Sequence, residues 1–355
     1  MENQDAIGIG YLYRPWSVLR YLEDALKSHC TVEYFGTAYK GRPGFSPEAN
    51  LLELVDDNAS NYAGFLLTED CLFSGLTTLE CPTAIWFYDY WPGDYHRLRY
   101  ARLFDYVFVS QKDWLGDFVS AGCTQVDWLP FACDLEIHHD HEIERSLDVG
   151  FVGNTNQATQ KDRQLLLIEL SKAYKMNDFS KPAYLHEMAK VYSQSKIVVN
   201  MTNRGGFNMR VFEAMACGAL LLTEDIGNGQ KELFTTGVHL DVYTNKQELF
   251  EKIDYYLAND EKRREIAEAG QAEVRAKHRY SDRAHAILAR LGNAPDARYR
   301  SNDAEEILRA YTLFHARRSR VQPLLKSLVQ SRCSLSTRTY IGARLLKTAI
   351  NVVRS

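Results

Sequence analysis

This sequence predicts an α/β chain of two doubly wound domains, and three observations carry the prediction. Short β-rich runs alternate with amphipathic stretches of helical period, the pattern of parallel strands joined by crossover helices. The alternation lapses once, in the polar, histidine-rich run FACDLEIHHDHEIER from Phe131 to Arg145, and then resumes. The 355 residues suffice for two cores of ordinary size. The expected organisation is a Rossmann-like domain over 1–135, a second over 146–291, and a helical extension with a basic tail over 292–355. Ligands in such sheets bind outside the carboxyl ends of the strands, so a cleft between two facing domains is the expected site.

The elements follow in order. AIGIGYLY, from Ala6, is a strand, and Ser17 to Lys27 has helical spacing. TVEYFG, YAGFLLT, PTAIWFY and DYVFVS are further strands, rich in β-branched and aromatic residues. KDWLGDFVSAG reads as a helix between the last of these and VDWLP. The second series opens with the strand LDVGFVGN, followed by helices over Lys161 to Lys172 and Tyr184 to Gln194. The strands KIVVNM and ALLLT flank a glycine turn and a helix, and VHLDVY is the last strand. Helices from Lys246 to Leu257 and from Glu261 to Lys277 complete the series.

Composition narrows the function classes. A net charge of −4 argues against general nucleic-acid binding, which needs a basic domain. The charge is uneven: Ala316 to Ser355 holds nine Lys or Arg and no Asp or Glu, leaving about −13 on the rest. Within that tail, YIGARLLKTAINVVRS has the pattern of a basic amphipathic helix, suited to an anionic membrane surface, to an acidic polymer, or to packing back on the protein. Asp303 to Arg320 is expected to pack across the first domain. The seven cysteines are odd in number and scattered, the pattern of reduced thiols rather than of a disulfide or zinc framework. With no basic leader and no long apolar run, the expected location is the cytoplasm, with peripheral membrane contact through the tail as an option.

The chemistry concentrates between Asn200 and Thr223, NMTNRGGFNMRVFEAMACGALLLT. A Gly-Gly turn (Gly205, Gly206) leaves an apolar strand and enters a helix through Phe207, Asn208 and Met209. Free backbone N–H groups and a helix dipole there favour an anion. Arg210 adds a bidentate phosphate donor, and Glu213, within the first helical turns, can accept from two neighbouring sugar hydroxyls. A cation at a helix start opposes the dipole by roughly 0.3–1 kcal/mol unless an anion is bound, which a diphosphate would supply. The competing reading is an (i, i+3) ion pair between Arg210 and Glu213. An anion tied to a diol describes a nucleotide sugar.

The run GGFNMRVFEAMACG resembles the nucleotide-binding segment of GT-B glycosyltransferases, with Glu213 matching the second acidic residue of their pattern. The likeness continues through LLLTE, ELFTTGVHLDVYTNKQELFEKIDYYL and HRYSDRA. Asp148 to Asn154 and Arg163 match the strand end and following arginine of the CgeB/YkvP-like, spore-maturation-type members, close to the group 1-like glycosyl transferases. The resemblance spans roughly Leu147 to Leu291 and implies the GT-B fold, a nucleotide diphosphate sugar as co-substrate, and no metal or other cofactor. It implies that Glu213 holds the nucleotide ribose. The sequence departs at Gly205, where many retaining members carry a second glutamate that holds the donor sugar, so the stereochemistry stays open.

Around this core stand weaker candidates. Gly153 and Asn154 end a strand where a missing side chain admits a substrate, and Arg163 is placed to reach the diphosphate; a tight turn and a surface arginine are the alternative. Tyr184 is a candidate to cover the base, or a helix-packing aromatic. In the first domain Asp89 and Asp70 follow strands, and Asp89 lies in an aromatic run (Trp86, Phe87, Tyr88, Tyr90, Trp91) suited to stacking on a sugar and to raising its pKa. Asp89 is the candidate general base, with His96 as the alternative. The HHDHE run is not expected to bind metal, since adjacent side chains in an extended segment point apart. The implied partners are a nucleotide-sugar donor and a glycan, lipid-linked or protein acceptor. An epimerase or hydrolase of the same fold, and a non-catalytic surface or spore protein, remain as alternatives.

Overall fold

The computed structural model describes residues 6–10, 18–35, 62–68, 79, 81–155, 160–202 and 205–293. These divide into two units: the first takes its residues from 1–110, 114–129 and 284 onward, the second from 111–113 and 130–283.

The first unit is built on a parallel sheet of six strands in the order β2-β1-β3-β4-β5-β6. They are β1 (Ala6–Gly10), β2 (Thr31–Phe35), β3 (Tyr62–Thr68), β4 (Thr83–Phe87), β5 (Tyr106–Val109) and β6 (Val126–Trp128). The order reverses at β1, which pairs with both β2 and β3, the topology of a doubly wound sheet. All residues of β4 and β5 are buried, as expected of central parallel strands covered on both sides. Helices α1 (Val18–Lys27), α2 (Tyr95–Ala101) and α3 (Leu115–Ser120) supply crossovers. The far end of the last helix, Tyr280–Leu291, also belongs here: Arg290 makes a bidentate pair with Asp127 of β6 at 2.7 Å.

In the second unit β7 (Leu147–Gly150), β8 (Ser195–Asn200), β9 (Leu220–Glu224) and β10 (Asp241–Tyr243) form a parallel sheet in the order β10-β9-β8-β7. Its helices are α4 (Lys161–Ala173), α5 (His186–Gln194), α6 (Arg210–Ala216), α7 (Gln230–Leu233), α8 (Lys246–Ala258) and α9 (Asp260–Lys277). Val149, Phe151, Ile197, Val199, Leu220 and Leu222 pack with Leu167, Leu249 and Ile253 into one apolar core. Asn245 caps α8 by accepting from Glu248 N–H, while Glu248 reaches back to Thr244. Acidic residues open α9 and basic ones close it, complementing the helix dipole.

Three expectations change. KDWLGDFVSAG is not one helix: Lys112–Trp114 is a 3₁₀ turn ahead of α3, because Gln111 and Asp113 bond to loops of the second unit. Residues 131–145, expected as a linker, are packed into the second unit. Cys133 N–H donates to His278 O, and Arg145 bonds to the carbonyls of Ser195 and Cys217. VHLDVY forms a strand only over Asp241–Tyr243, since a turn with Gly237 at φ 76° occupies its start. Asp70, Asp303 to Arg320 and the basic tail lie outside the described residues. Among the described residues, no helix is long and apolar enough to cross a membrane.

Candidate functional site

Strand β8 delivers Asn200 to the carboxyl edge of the second sheet, and this buried amide organises what surrounds it. Asn200 Nδ2 donates to Thr223 Oγ1 at 2.9 Å, and its carbonyl oxygen accepts from Tyr243 OH at 2.8 Å. Asn200 Oδ1 accepts from Arg210 Nη1 at 2.6 Å and from Asn208 Nδ2 at 3.0 Å. Asn200 is a site residue beyond those the sequence motifs predict. The signal was an amide closing an otherwise apolar strand, where only a hydrogen-bonded polar group is tolerated.

Arg210 is aimed back over the sheet edge. Its Nε and Nη2 donate to Val152 O at 2.9 and 2.7 Å, and its guanidinium lies 4.4 Å from the Phe151 ring centroid. The competing arrangement, an (i, i+3) ion pair with Glu213, does not form: no contact within 4.0 Å joins the two side chains. Arg163, from α4, covers the same ring at 5.9 Å and donates to Asn154 O and Met201 O, both at 3.0 Å. Burial and the nearby Arg210 push Arg163 down to about 10. Among the described residues, no carboxylate lies within 4.0 Å of either guanidinium. Two partly buried cations thus lie against one aromatic ring with no carboxylate in ion-pair contact among the described residues, a place that favours an anion.

The structure gives Gly153 a role other than the expected one. A Cβ built there would lie 2.3 Å from Arg210 Nη2, so the missing side chain makes room for the arginine. Asn154 sits beside it at the surface, its carbonyl oxygen taken by Arg163.

Glu213 lies one turn along α6 and is 4 % exposed. Burial drives its carboxyl up to about 7, with Arg210 opposing. No described residue donates a hydrogen bond to this carboxylate. Its neighbour is His138, fully buried, with Nε2 3.7 Å from Glu213 Oε1. Asp134 N–H donates to His138 Nδ1, which assigns the proton to Nε2, facing the carboxylate. Burial, with His186 and His139 nearby, drives His138 down to about 3, so the contact is not an ion pair at neutral pH. His138 comes from the HHDHE run, which therefore contributes to this site by packing.

The glycine bend meets the expectation in part. Gly205 adopts φ 73°, and a Cβ built there meets nothing within 4 Å. Gly206 is buried. The expected ring of amide donors is interrupted at Phe207, whose N–H donates to Gln111 Oε1 and whose ring stacks on Phe234. Phe207 is a structural residue here, because both its peptide groups and its ring are already satisfied. Helix α6 has seven residues, and Val211 N–H turns back to Asn208 O. Among the described residues, the N–H groups of Asn208, Met209 and Arg210 have no acceptor, which leaves three donors at the helix entrance. Tyr184 is 55 % exposed just ahead of α5, beside Leu185 at φ 53°.

In the first unit Asp89 follows β4 and is exposed, accepting from Trp91 Nε1 at 3.1 Å. The aromatic run does not enclose it: Trp86, Phe87 and Tyr90 turn into the core instead. Arg97, buried and overlooked by the sequence reading, donates to Asp89 O at 2.6 Å and lies 3.4 Å from Asp94. His96, in the first turn of α2, is half-buried.

A family model described as glycosyl transferase-like matches residues 147–289, the stretch that supplies Arg163, Arg210 and Glu213. None of the curated proteins matches the chain. HepE from Anabaena in complex with UDP-glucose is similar in structure, with a TM-score of 0.60 at 15% identity, over 81% of this chain and 99% of that one. Sucrose-phosphate synthase from Thermosynechococcus elongatus gives 0.57 at 14% identity, over 81% and 98%. The β-glucosyltransferase of T4 phage gives 0.52 at 12% identity, over 82% and 100%. The fold is GT-B, as the sequence resemblance implied.

Proposed function

We propose that this chain is a glycosyltransferase that moves a sugar from a nucleoside diphosphate sugar to an acceptor hydroxyl. One observation carries the reading: among the described residues, Arg163 and Arg210 both approach the Phe151 ring with no carboxylate within 4.0 Å, and Glu213, one turn along the helix that Arg210 opens, is buried without a hydrogen-bond donor. A nucleoside diphosphate satisfies both, with phosphate oxygens on the arginines and ribose hydroxyls on the carboxylate. The family match over this stretch supports the reading, and so does the UDP-glucose held by HepE. Within the fold, the CgeB/YkvP-like group is the one we favour, on Asp148 to Asn154 and Arg163.

In the reaction the bond from the sugar's anomeric carbon to the diphosphate oxygen breaks, and its electron pair leaves with the nucleoside diphosphate. Arg163, Arg210 and the amides of Asn208 to Arg210 stabilise that charge, the main catalytic contribution. They supply the positive charge that a divalent ion would bring, so the proposed reaction needs no metal. The acceptor oxygen bonds to the anomeric carbon. Its proton passes to Asp89, or to His96, if the configuration inverts, and to the departing phosphate if it is retained. The acceptor is a glycan, a lipid-linked saccharide or a protein, and the location is the cytoplasm.

The test is product NMR after incubation with UDP-, GDP- and dTDP-linked sugars, with and without a panel of acceptors. Transfer predicts a new glycosidic signal only when an acceptor is present. Free sugar or an epimer formed without acceptor would replace this reading by a hydrolase or epimerase.

A further inference from the structure

The bend that carries Arg210 is held by side chains from two other loops of the second unit. Gln111 is 4 % exposed and spends its amide on one residue. Its Oε1 accepts from Phe207 N–H and its Nε2 donates to Phe207 O, both at 2.8 Å. Asn228, at φ 48°, donates from Nδ2 to Gly205 O at 2.9 Å. Asn228 is tied in turn to Asp113, whose Oδ2 accepts from Asn228 N–H at 2.9 Å. Residues 205 and 207 are thus pinned on either side of Gly206. Among the described residues, a Cβ at Gly205 would meet nothing within 4 Å.

We propose that Gln111 is a positioning residue for the nucleotide site: by clamping both peptide groups of Phe207, it sets the direction of the Asn208 to Arg210 amides and the start of α6. The inference rests on the nucleotide-binding reading above. A primary amide suits the task, since it accepts from one peptide group and donates to the other without charge. Leucine would leave a buried N–H and a buried carbonyl unpaired. Ionised glutamate would bond the N–H but repel the carbonyl. Protonated glutamic acid would restore both roles, its hydroxyl standing in for the amide NH₂.

The experiment is calorimetric titration of UDP into the full chain, as wild type, Gln111→Glu and Gln111→Leu, from about pH 5.5 to about pH 8.5, where a buried glutamic acid titrates. Quoting each variant relative to wild type cancels the titration of Glu213. Gln111→Glu should bind about tenfold or more weakly at the alkaline end, the size of one lost buried hydrogen bond, and approach wild type at the acid end. Gln111→Leu should stay weak throughout. Asn228→Ala, which frees Gly205 from the other side, should weaken UDP as well. Recovery of Gln111→Glu in acid also shows that this variant folds, even if the leucine variant does not. UDP binding by Gln111→Leu equal to wild type overturns the inference, as does a Gln111→Glu deficit that ignores pH. Absence of binding by wild type to UDP, GDP and ADP alike would instead overturn the nucleotide reading itself.

Discussion

Arg210 occupies the space that Gly153 leaves: a Cβ on residue 153 would sit 2.3 Å from Arg210 Nη2. A glycine three residues beyond β7 and an arginine 57 residues after it are therefore one feature, and neither explains itself alone. The glycine lets the guanidinium lie on Phe151 and bond Val152 O while Nη1 donates to Asn200 Oδ1.

Gly153→Ala tests that pairing. The new methyl displaces the guanidinium, so UDP affinity should fall about tenfold or more, the size of a lost charge-assisted hydrogen bond. Folding stability should fall by about 1–3 kcal/mol from overpacking. Calorimetric titration and thermal melting measure the two. Unchanged affinity in a destabilised variant would separate the glycine from ligand binding.

The pH response follows from Glu213, whose folded carboxyl titrates at about 7, above its unfolded value. A raised folded pKa contributes stability that is complete below the unfolded value and is lost as pH rises through about 7. Ligand binding runs the other way, because the ionised carboxylate is the better acceptor for two hydroxyls. UDP affinity should therefore weaken by up to about tenfold per pH unit below 7. Glu213→Gln should flatten both profiles, in denaturant melts for stability and in titrations for affinity. His138 adds the opposite stability trend: its folded value is lowered to about 3, so its contribution fades as pH falls below its unfolded value of 6.5.

A buried carboxylate without a donor should also select for ribose. A ribonucleotide offers two adjacent hydroxyls to Glu213, and a 2′-deoxynucleotide leaves one oxygen unpaired. The expected preference for UDP over dUDP corresponds to about 1–3 kcal/mol, or roughly 5- to 150-fold. Competition titrations read it directly. Equal binding of the two would remove the ribose role from Glu213.

Asp89→Asn separates base from binding residue. With an inverting reaction its turnover should drop by about 10²-fold or more, the size of a general-base contribution, while UDP affinity stays unchanged. His96→Asn should retain turnover. The reverse result would exchange their roles.

Period and composition made most elements legible: YAGFLLT and the helices at Lys161 and Lys246 lie where their patterns place them. The short α2 and α7 are not legible in the sequence, because seven- and four-residue helices carry too few turns to show a period. Arg210 and Glu213 were readable because glycine, arginine and glutamate occur together in one local run. Gln111, Asn228 and His138 act on that run from outside it, Gln111 on Phe207 across 96 positions. Such polar partners have no local pattern; only the fold brings them to the carbonyls and carboxylates they serve.

The most direct test is a single calorimetric comparison: UDP titrated at neutral pH into wild type and into Arg210→Met. Saturable one-site binding by wild type is expected, with a loss of about tenfold or more in the variant, from one charge-assisted contact. Equal heats and affinities in both, or no binding by wild type to any nucleoside diphosphate, would contradict the nucleotide-binding reading.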